Sequence, residues 1–391
     1  MDRSASRRKF LAAGLALPAV ASAARPQDSP DKRPQSSLAQ AVAPAFQYRT
    51  LGKTGLKVTT VGMGCMITSD GSVIERAADM GITYFDTARS YQKGNNERIV
   101  GAALKRKRKD IVLSTKTEGK DKAEALAQLD TSLKELGTDY LDIWYLHSKD
   151  KPEDVSDGLI EAQQIAIKAG KVRHAGVSTH QTDMVPFLTK HEKVEVILVT
   201  YNFTMEPART DAIEAAAKAG KGVVAMKVMA GGMAPGRGGA KNPNADRFQQ
   251  PGAMAAVYRW VTRNPSIATT IPSMTDIEQV AENIRAGSQP FTPADGKLLA
   301  ERRELIRPLY CTMCGKCDGT CQKGLPVADV LRFVTYADGY GQFALGRERF
   351  LELSAEHAAV RCGECVSCSV SCPHGVHVVE RLTRAQELFG C

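Results

Sequence analysis

The chain has 391 residues, 43% of them apolar and 24% charged, with a formal charge of +9. That length allows two or three domains, and the composition is that of an ordinary globular protein rather than a disordered one. The positive balance has no focus: the one compact basic block inside the chain is KRKRK at 105–109, with no aromatic stripe beside it. It reads as a solvated helix end, which excludes nucleic acid as a partner.

Residues 1–24 have the form of an export signal rather than of a folded element. SASRRKFLAAGLALPAVASAA holds a basic start, a weakly apolar stretch from Phe10 to about Ala21, and small residues at Ala21–Ser22–Ala23 that suit cleavage. The apolar stretch is too short to span a membrane, and no other segment approaches 18 apolar residues, so no membrane span is expected after signal removal. The SRRKFL core resembles a twin-arginine signal, which implies a periplasmic or otherwise exported protein that folds, cofactors included, before it crosses the membrane. Residues 25–46, rich in Pro, Ser and Gln, read as a linker.

From residue 47 to 290 short β-branched runs alternate with longer amphipathic ones. The strand-like runs lie at 58–64, 83–88, 110–116, 140–147, 173–179, 194–202, 222–228 and 267–273. Between them KAEALAQLDTSLKELG places Ala125, Leu129, Ser132, Leu133 and Leu136 on one stripe and stops at Gly137. TDAIEAAAKAGK and DIEQVAENIRAG each open on a capping Thr or Asp. Eight β–α units predict a parallel (β/α)8 TIM barrel of the α/β class, and no G-x-G-x-x-G follows an early strand to favour a dinucleotide-binding sheet instead.

In such a barrel the chemistry sits at the carboxyl ends of the strands. Those ends carry Asp86, Lys116 and His147, with Tyr91 in the loop after Asp86. Any one of them has an ordinary structural explanation: a helix cap, a surface lysine, a buried hydrogen-bonded imidazole, a packing ring. Four titratable groups converging on one rim point to a site.

YFDTARSYQKGNNERIVGAALK, IVLSTK and DYLDIWYLH together resemble the aldo/keto reductase family over about residues 47–287. The resemblance implies that Asp86, Tyr91, Lys116 and His147 form a catalytic tetrad that interconverts a carbonyl and an alcohol. Tyr91 would be the general acid/base, with a phenolic pKa lowered from about 10 by the Lys116 ammonium. Asp86 would aim that ammonium, and His147 would donate to the carbonyl oxygen or orient the substrate. It also implies NADP(H), with Ser178, Tyr201, Glu282 and Asn283 as contacts. The sequence departs from the family there: Thr179 stands where asparagine is common, Leu198 where glutamine is expected, and Met226 or Lys227 where a tyrosine stacks on the nicotinamide. Ser273 and Gln279 replace the basic residues that often hold the 2′-phosphate.

Residues 291–391 change character. CTMCGKCDGTC at 311–321 and CGECVSCSVSC at 362–372 repeat one C-x2-C-x2-C-x3-C rhythm, the second followed by Pro373 and the first by Gln322. Eight such thiols admit iron–sulfur clusters, zinc or disulfides, and three closely spaced thiols suit the corner of a cluster better than tetrahedral zinc. The pattern resembles bacterial dicluster ferredoxins, in which the fourth cysteine of each run serves the other cluster. That implies two [4Fe–4S] clusters, one on Cys311, Cys314, Cys317 and Cys372, the other on Cys362, Cys365, Cys368 and Cys321. Helical spacing of Val327, Val330, Leu331 and Val334, and the helix-like GRERFLELSAEHAAV, predict an all-helical domain. Cys65 is expected in the core, and Cys391 has no partner in the pattern. The expectation is an exported oxidoreductase acting on a small-molecule carbonyl or alcohol, its clusters serving electron transfer. The alternative is a nicotinamide-independent redox protein exchanging electrons with a partner protein through those clusters.

Overall fold

The computed structural model describes residues 46–232 and 250–390; the expected signal and all but the last residue of the linker lie outside them. The described residues form one compact unit. The chain enters through an antiparallel hairpin, β1 (Tyr48–Thr50) with β2 (Lys57–Thr59), whose turn drives the Leu51 side chain into the floor of a barrel. Eight parallel strands follow: β3 (Met63–Gly64), β4 (Tyr84–Asp86), β5 (Val112–Thr117), β6 (Leu141–Leu146), β7 (Val172–Thr179), β8 (Val196–Thr200), β9 (Gly222–Met226) and β10 (Thr269–Thr270). They pair in sequence order. The ring closes where Gly62 N and Gly64 N donate to Thr270 O and Pro272 O, both at 2.9 Å.

Helices α1 (Gly71–Asp79), α2 (Asn95–Leu104), α3 (Lys122–Leu136), α4 (Asp157–Lys168), α5 (Val185–Lys190), α6 (Pro207–Lys218), α7 (Ala253–Thr262) and α8 (Ile277–Gly287) follow the eight barrel strands in turn. The expected TIM barrel is therefore present. α3 shows how local sequence fixes an element. Asp121 accepts from Glu124 N at 2.9 Å to cap the start, Gly137 ends it at a φ of 62°, and the five expected stripe residues are the buried ones. Two expectations need correcting. The 58–64 run is not one strand: Val58 and Thr59 pair in the hairpin, and only Met63–Gly64 joins the barrel. α6 starts at Pro207 rather than at Thr210, because proline fits the first turn without needing a donor.

Strand alternation sorts the core. Tyr84, Val112, Ile143, Tyr145, Val196, Leu198 and Val224 fill the barrel interior around Leu51, while Phe85, Leu113, Trp144, Ile197 and Val223 face the helices. Cys65, as expected, is buried in this outer core.

Beyond the barrel α9 (Pro293–Ile306) packs on α7, tied by the Arg259–Asp295 pair at 2.5 Å. The cysteine domain then folds as helices α10 (Val327–Asp338), α11 (Phe343–Leu351), α12 (Ala355–Ala359) and α13 (Val378–Phe389) around a second core of Leu325, Val330, Val334, Phe350, Leu382 and Phe389. This domain is seated on the carboxyl end of the barrel. A Cβ at Gly339, just after α10, would overlap the Gly231 carbonyl of the loop after β9, so two glycine backbones touch at the seam.

Candidate active site

Strand geometry brings three of the tetrad residues together. Asp86 ends β4 and Lys116 is the fifth residue of β5, so parallel pairing sets them side by side, each side chain only 1% exposed. The Lys116 ammonium is paired with the Asp86 carboxylate and donates to Thr87 O at 2.7 Å and to the Tyr91 hydroxyl at 3.2 Å. Ser114 Oγ donates to the other Asp86 oxygen at 2.7 Å. Tyr91 is held in place by an unusual loop: Gln92 and Lys93 adopt φ of 50° and 55°, and the Gln92 amide donates to Met66 O and Thr68 O at 3.3 and 3.2 Å. Burial pulls the Lys116 ammonium down, but Asp86 and Tyr91 outweigh it and hold Lys116 above its usual range.

For Tyr91 the balance differs from the sequence expectation. Burial pushes its hydroxyl up, Lys116 pulls it down by less, and the net direction is upward. Tyr91 is therefore a held proton at neutral pH, and Lys116 limits the cost of the phenolate left once that proton departs.

His147 follows β6 and meets the Tyr91 ring edge-on, centroids 5.8 Å apart. Its Nδ1 lies 3.1 Å from Glu118 Oε1, within ion-pair range but off the angle of a hydrogen bond. Burial lowers His147 to about 4, with Lys116 and His180 adding to the effect against the opposing pull of Glu118. Burial raises Glu118, but His147, Arg349 and Ser90 overcome this and draw it down to about 2. The imidazole is thus neutral across the physiological range.

Arg349 comes from α11 of the cysteine domain, 3.5 Å from Glu118. Like most of the groups around it, Lys227 excepted, it was not singled out by local sequence patterns. α10 also contributes Arg332 and Tyr336, and the strand ends contribute His180, Thr200 and Lys227. Together with Tyr310, Cys311 and Tyr340 they line a small cavity between the barrel mouth and α10. Lys227 Nζ lies 3.4 Å from the Tyr336 hydroxyl and sits over the Tyr336 and Tyr340 rings at 4.7 and 5.4 Å. Burial pushes Tyr336 up, yet the Lys227 and Arg332 cations outweigh it and bring it down to about 8.

None of the four expected NADP(H) contacts lines this cavity. Ser178 accepts from Ser148 N at 2.9 Å and reaches Leu146 O at 3.4 Å. The Tyr201 ring is turned outward, 4.9 Å from that of Trp260, on the face that alternation gives it with Ile197 and Val199, and its hydroxyl accepts from Asn264 at 3.1 Å. Glu282 is exposed on α8 beside Tyr258, and Asn283 is buried. Thr179 is bonded to Asp150 at 2.9 Å, Leu198 offers only hydrocarbon, and α10 covers Lys227, the position where a ring would stack. These residues do not fit a nicotinamide grip of the family kind in this arrangement.

The cysteines separate into the two interleaved sets. Cys311, Cys314, Cys317 and Cys372 line one cavity with Gly315, Leu331 and Pro373. Burial pushes Cys311 up to about 12 and Cys317 to about 11; every other thiol of that set adds to the rise at Cys311, while for Cys317 the added push comes from Asp318, Cys314 and Cys372. Burial likewise raises Cys362, helped by Cys365, Cys321 and Cys368. All nine described cysteines are free thiols, and among the described residues no three His, Cys, Asp or Glu side chains converge tightly enough for a single ion. Two groups of thiols, the first lining a cavity and the members of both repelling one another as thiolates, have the donor chemistry of iron–sulfur sites.

Residues 71–304 match the aldo/keto reductase family and residues 307–376 match the 4Fe-4S dicluster domain. The chain belongs to the aldo/keto reductase family, a family of oxidoreductases, and carries a dicluster domain behind its barrel. It is similar to the uncharacterized oxidoreductase YrpG of Bacillus subtilis, 27% identical over 297 residues that cover 62% of this chain and 91% of that one. It is also similar to the uncharacterized oxidoreductase YqkF of the same organism, 31% identical over 174 residues, 40% of this chain and 56% of that one. The chain spans about half the length of most of the curated relatives it matches, such as YqkF at 56% and a probable voltage-gated potassium channel beta subunit of Arabidopsis thaliana at 46%. Among solved structures, the holo form of aldo-keto reductase AKR11C1 from Bacillus halodurans aligns with a TM-score of 0.56 at 24% identity, covering 66% of this chain and 96% of that one. Its apo form gives 0.52 at 26% identity, with the same coverage.

The His147 environment makes a pH prediction. A group lowered from 6.5 to about 4 on folding leaves the unfolded chain holding more protons between those values, so stability is lost as pH falls through that window. From about pH 7 to about pH 5 the His147 contribution to the unfolding free energy should fall by about 2 kcal/mol. Urea unfolding of the wild type and of His147→Gln at both pH values should show the variant losing correspondingly less; equal losses would remove the buried neutral imidazole from the description.

Proposed function

We propose that the chain interconverts a carbonyl and an alcohol at the barrel mouth, with Tyr91 giving and recovering the proton. The observation that carries this reading is the Lys116 ammonium, fixed by Asp86 and donating to the Tyr91 hydroxyl at 3.2 Å. As a carbonyl oxygen gains charge it takes the Tyr91 proton, and the Lys116 charge offsets the phenolate that forms; the two electrons of the reduction would come through the two clusters, one from each, and the proton for carbon from water. His147, neutral and edge-on to Tyr91, orients the reacting group; Glu118 holds His147 from behind.

The second reading, in which no nicotinamide takes part, is favoured by one observation: α10 lies over Lys227 and the polar side chains nearby are engaged with the protein itself. Two [4Fe–4S] clusters, when bound, supply one-electron transfer between the protein and a redox partner. Cys311, Cys314, Cys317 and Cys372 would hold one, Cys321, Cys362, Cys365 and Cys368 the other. Cys365 and Cys368 are exposed and Val366 between them is fully so, which makes this loop the face an electron-transfer partner protein would meet.

In the cluster-loaded protein Tyr91→Phe should lower carbonyl reduction by about 10²–10⁴-fold with the fold and clusters kept. NADPH or NADH added anaerobically should leave the cluster absorbance unbleached. Full activity of Tyr91→Phe would refute the acid; bleaching would restore the nicotinamide reading.

Iron analysis should give about eight irons per chain, and Cys321→Ser should remove about half, since it opens one site only. Unchanged iron in that variant would break the interleaved assignment.

The SRRKFL motif supports export. Replacing Arg7 and Arg8 together by Lys should retain the protein in the cytoplasm; unchanged periplasmic recovery on cell fractionation would dispose of the twin-arginine route.

A further inference from the structure

We infer that the cavity between the barrel mouth and α10 binds a carboxylate, so that the substrate is a keto or hydroxy acid bearing that carboxylate beside its reacting carbon. The inference rests on the carbonyl–alcohol reading above and narrows its substrate class. It starts from an uncompensated charge. Lys227 has no carboxylate partner among the described residues; its ammonium meets only the Tyr336 hydroxyl and the Tyr336 and Tyr340 rings. The other charges at this seam are matched. Arg332 is paired with Asp329 at 2.6 Å and faces Asp150, and Asp150 in turn holds His180. An ammonium half-buried against aromatic faces, beside a phenol drawn toward ionisation by it, is a place where an anion is wanted.

A second observation points the same way. Thr200 is the last residue of β8, on the inward face with Val196 and Leu198, so its side chain is directed to the top of the barrel interior. The residue is fully buried, its Oγ1 has no hydrogen-bond partner, and it lines the same cavity as Lys227. A buried hydroxyl left without a partner costs stability unless something fills the role. Arg332 Nε is orphaned too, on the opposite wall. Three donors of this kind around a cavity too narrow for a ring system match the two oxygens of one carboxylate. The cavity also adjoins the reacting pair: charge on Tyr336 acts on Tyr91, and charge on His180 acts on His147. An anion seated against Lys227 therefore lies on the side of the mouth that Tyr91 and His147 occupy. The competing explanation is that Lys227 only pins α10 through its aromatic contacts.

Calorimetric titration of the cluster-loaded full chain with pyruvate and with methyl pyruvate separates the two. The pair shares a reacting ketone and differs in the charge. Pyruvate should bind more tightly than its ester. Lys227→Met should weaken pyruvate by roughly tenfold or more and leave the ester unchanged, while Lys227→Arg keeps most of the affinity. Thr200→Val, nearly isosteric, should weaken pyruvate roughly threefold, and it serves if Lys227→Met loses its iron. Equal binding of acid and ester, no binding of pyruvate, or affinity indifferent to both substitutions would overturn the inference. Tyr91→Phe should bind pyruvate as the wild type does. If it also turned over normally, the acid assignment would fail while the carboxylate site stood.

Discussion

A single buried ion pair organises the mouth of this barrel. Lys116 and Asp86 come from adjacent strands, both almost wholly removed from water, and neither would be stable there alone. Pairing in register is what permits them, and the remaining contacts of Lys116 then follow. One of its protons goes to the Thr87 carbonyl and one to the Tyr91 hydroxyl, so the ammonium is saturated and cannot swing away. The strained Gln92–Lys93 loop is the complementary device, placing the phenol where that last donor points. Burial then keeps the phenol protonated, which makes Tyr91 a reservoir of one proton rather than a standing base.

The cysteine domain is part of this site as well as a neighbour of it. It delivers Arg349 to Glu118 and Tyr336 to Lys227, and its first cysteine, Cys311, lines the cavity at the mouth. The tie is made by backbone and buried polar contacts alike: Arg209 donates to Thr312 O at 3.0 Å, and Asn202 to the Tyr310 hydroxyl at 3.0 Å. The environment that sets the proton affinities of Tyr91 and His147 is thus composed by two domains at once.

Much of this was legible in the chain. The eight strand runs, the stripe of α3 and the helical spacing of α10 are patterns of period two or 3.6, and local periodicity carries them. The convergence of Asp86, Tyr91, Lys116 and His147 followed because a barrel gathers its strand ends. What local pattern did not carry is docking. Tyr201 turns outward with Ile197 and Val199, as alternation along β8 directs; the family resemblance, not the pattern, had placed it at the cofactor. The divided first strand was hidden because Val58 and Val61 look alike in a β-branched run while one pairs in the hairpin and the other bridges to Thr270. The resemblance marked Lys227 as a departure, but its meeting with Tyr336 beside Arg332 arises only when two domains meet, so nothing within either segment announces that contact. The shift at Tyr91 was misjudged for a related reason: the charge of Lys116 was visible, the depth of burial was not.

The meeting of Gly231 with Gly339 has a consequence for how such a protein can change. Barrel enzymes usually acquire new specificities by lengthening or trading the loops on their carboxyl face, where variation is cheap. Here the turn after β9 is pressed against another backbone with no space for even a methyl group. An insertion at that turn would lift α10 and take Tyr336 and Arg332 with it. Diversification at this corner has to proceed by exchange of side chains across the seam, one partner answering the other, with the length of the loop held still.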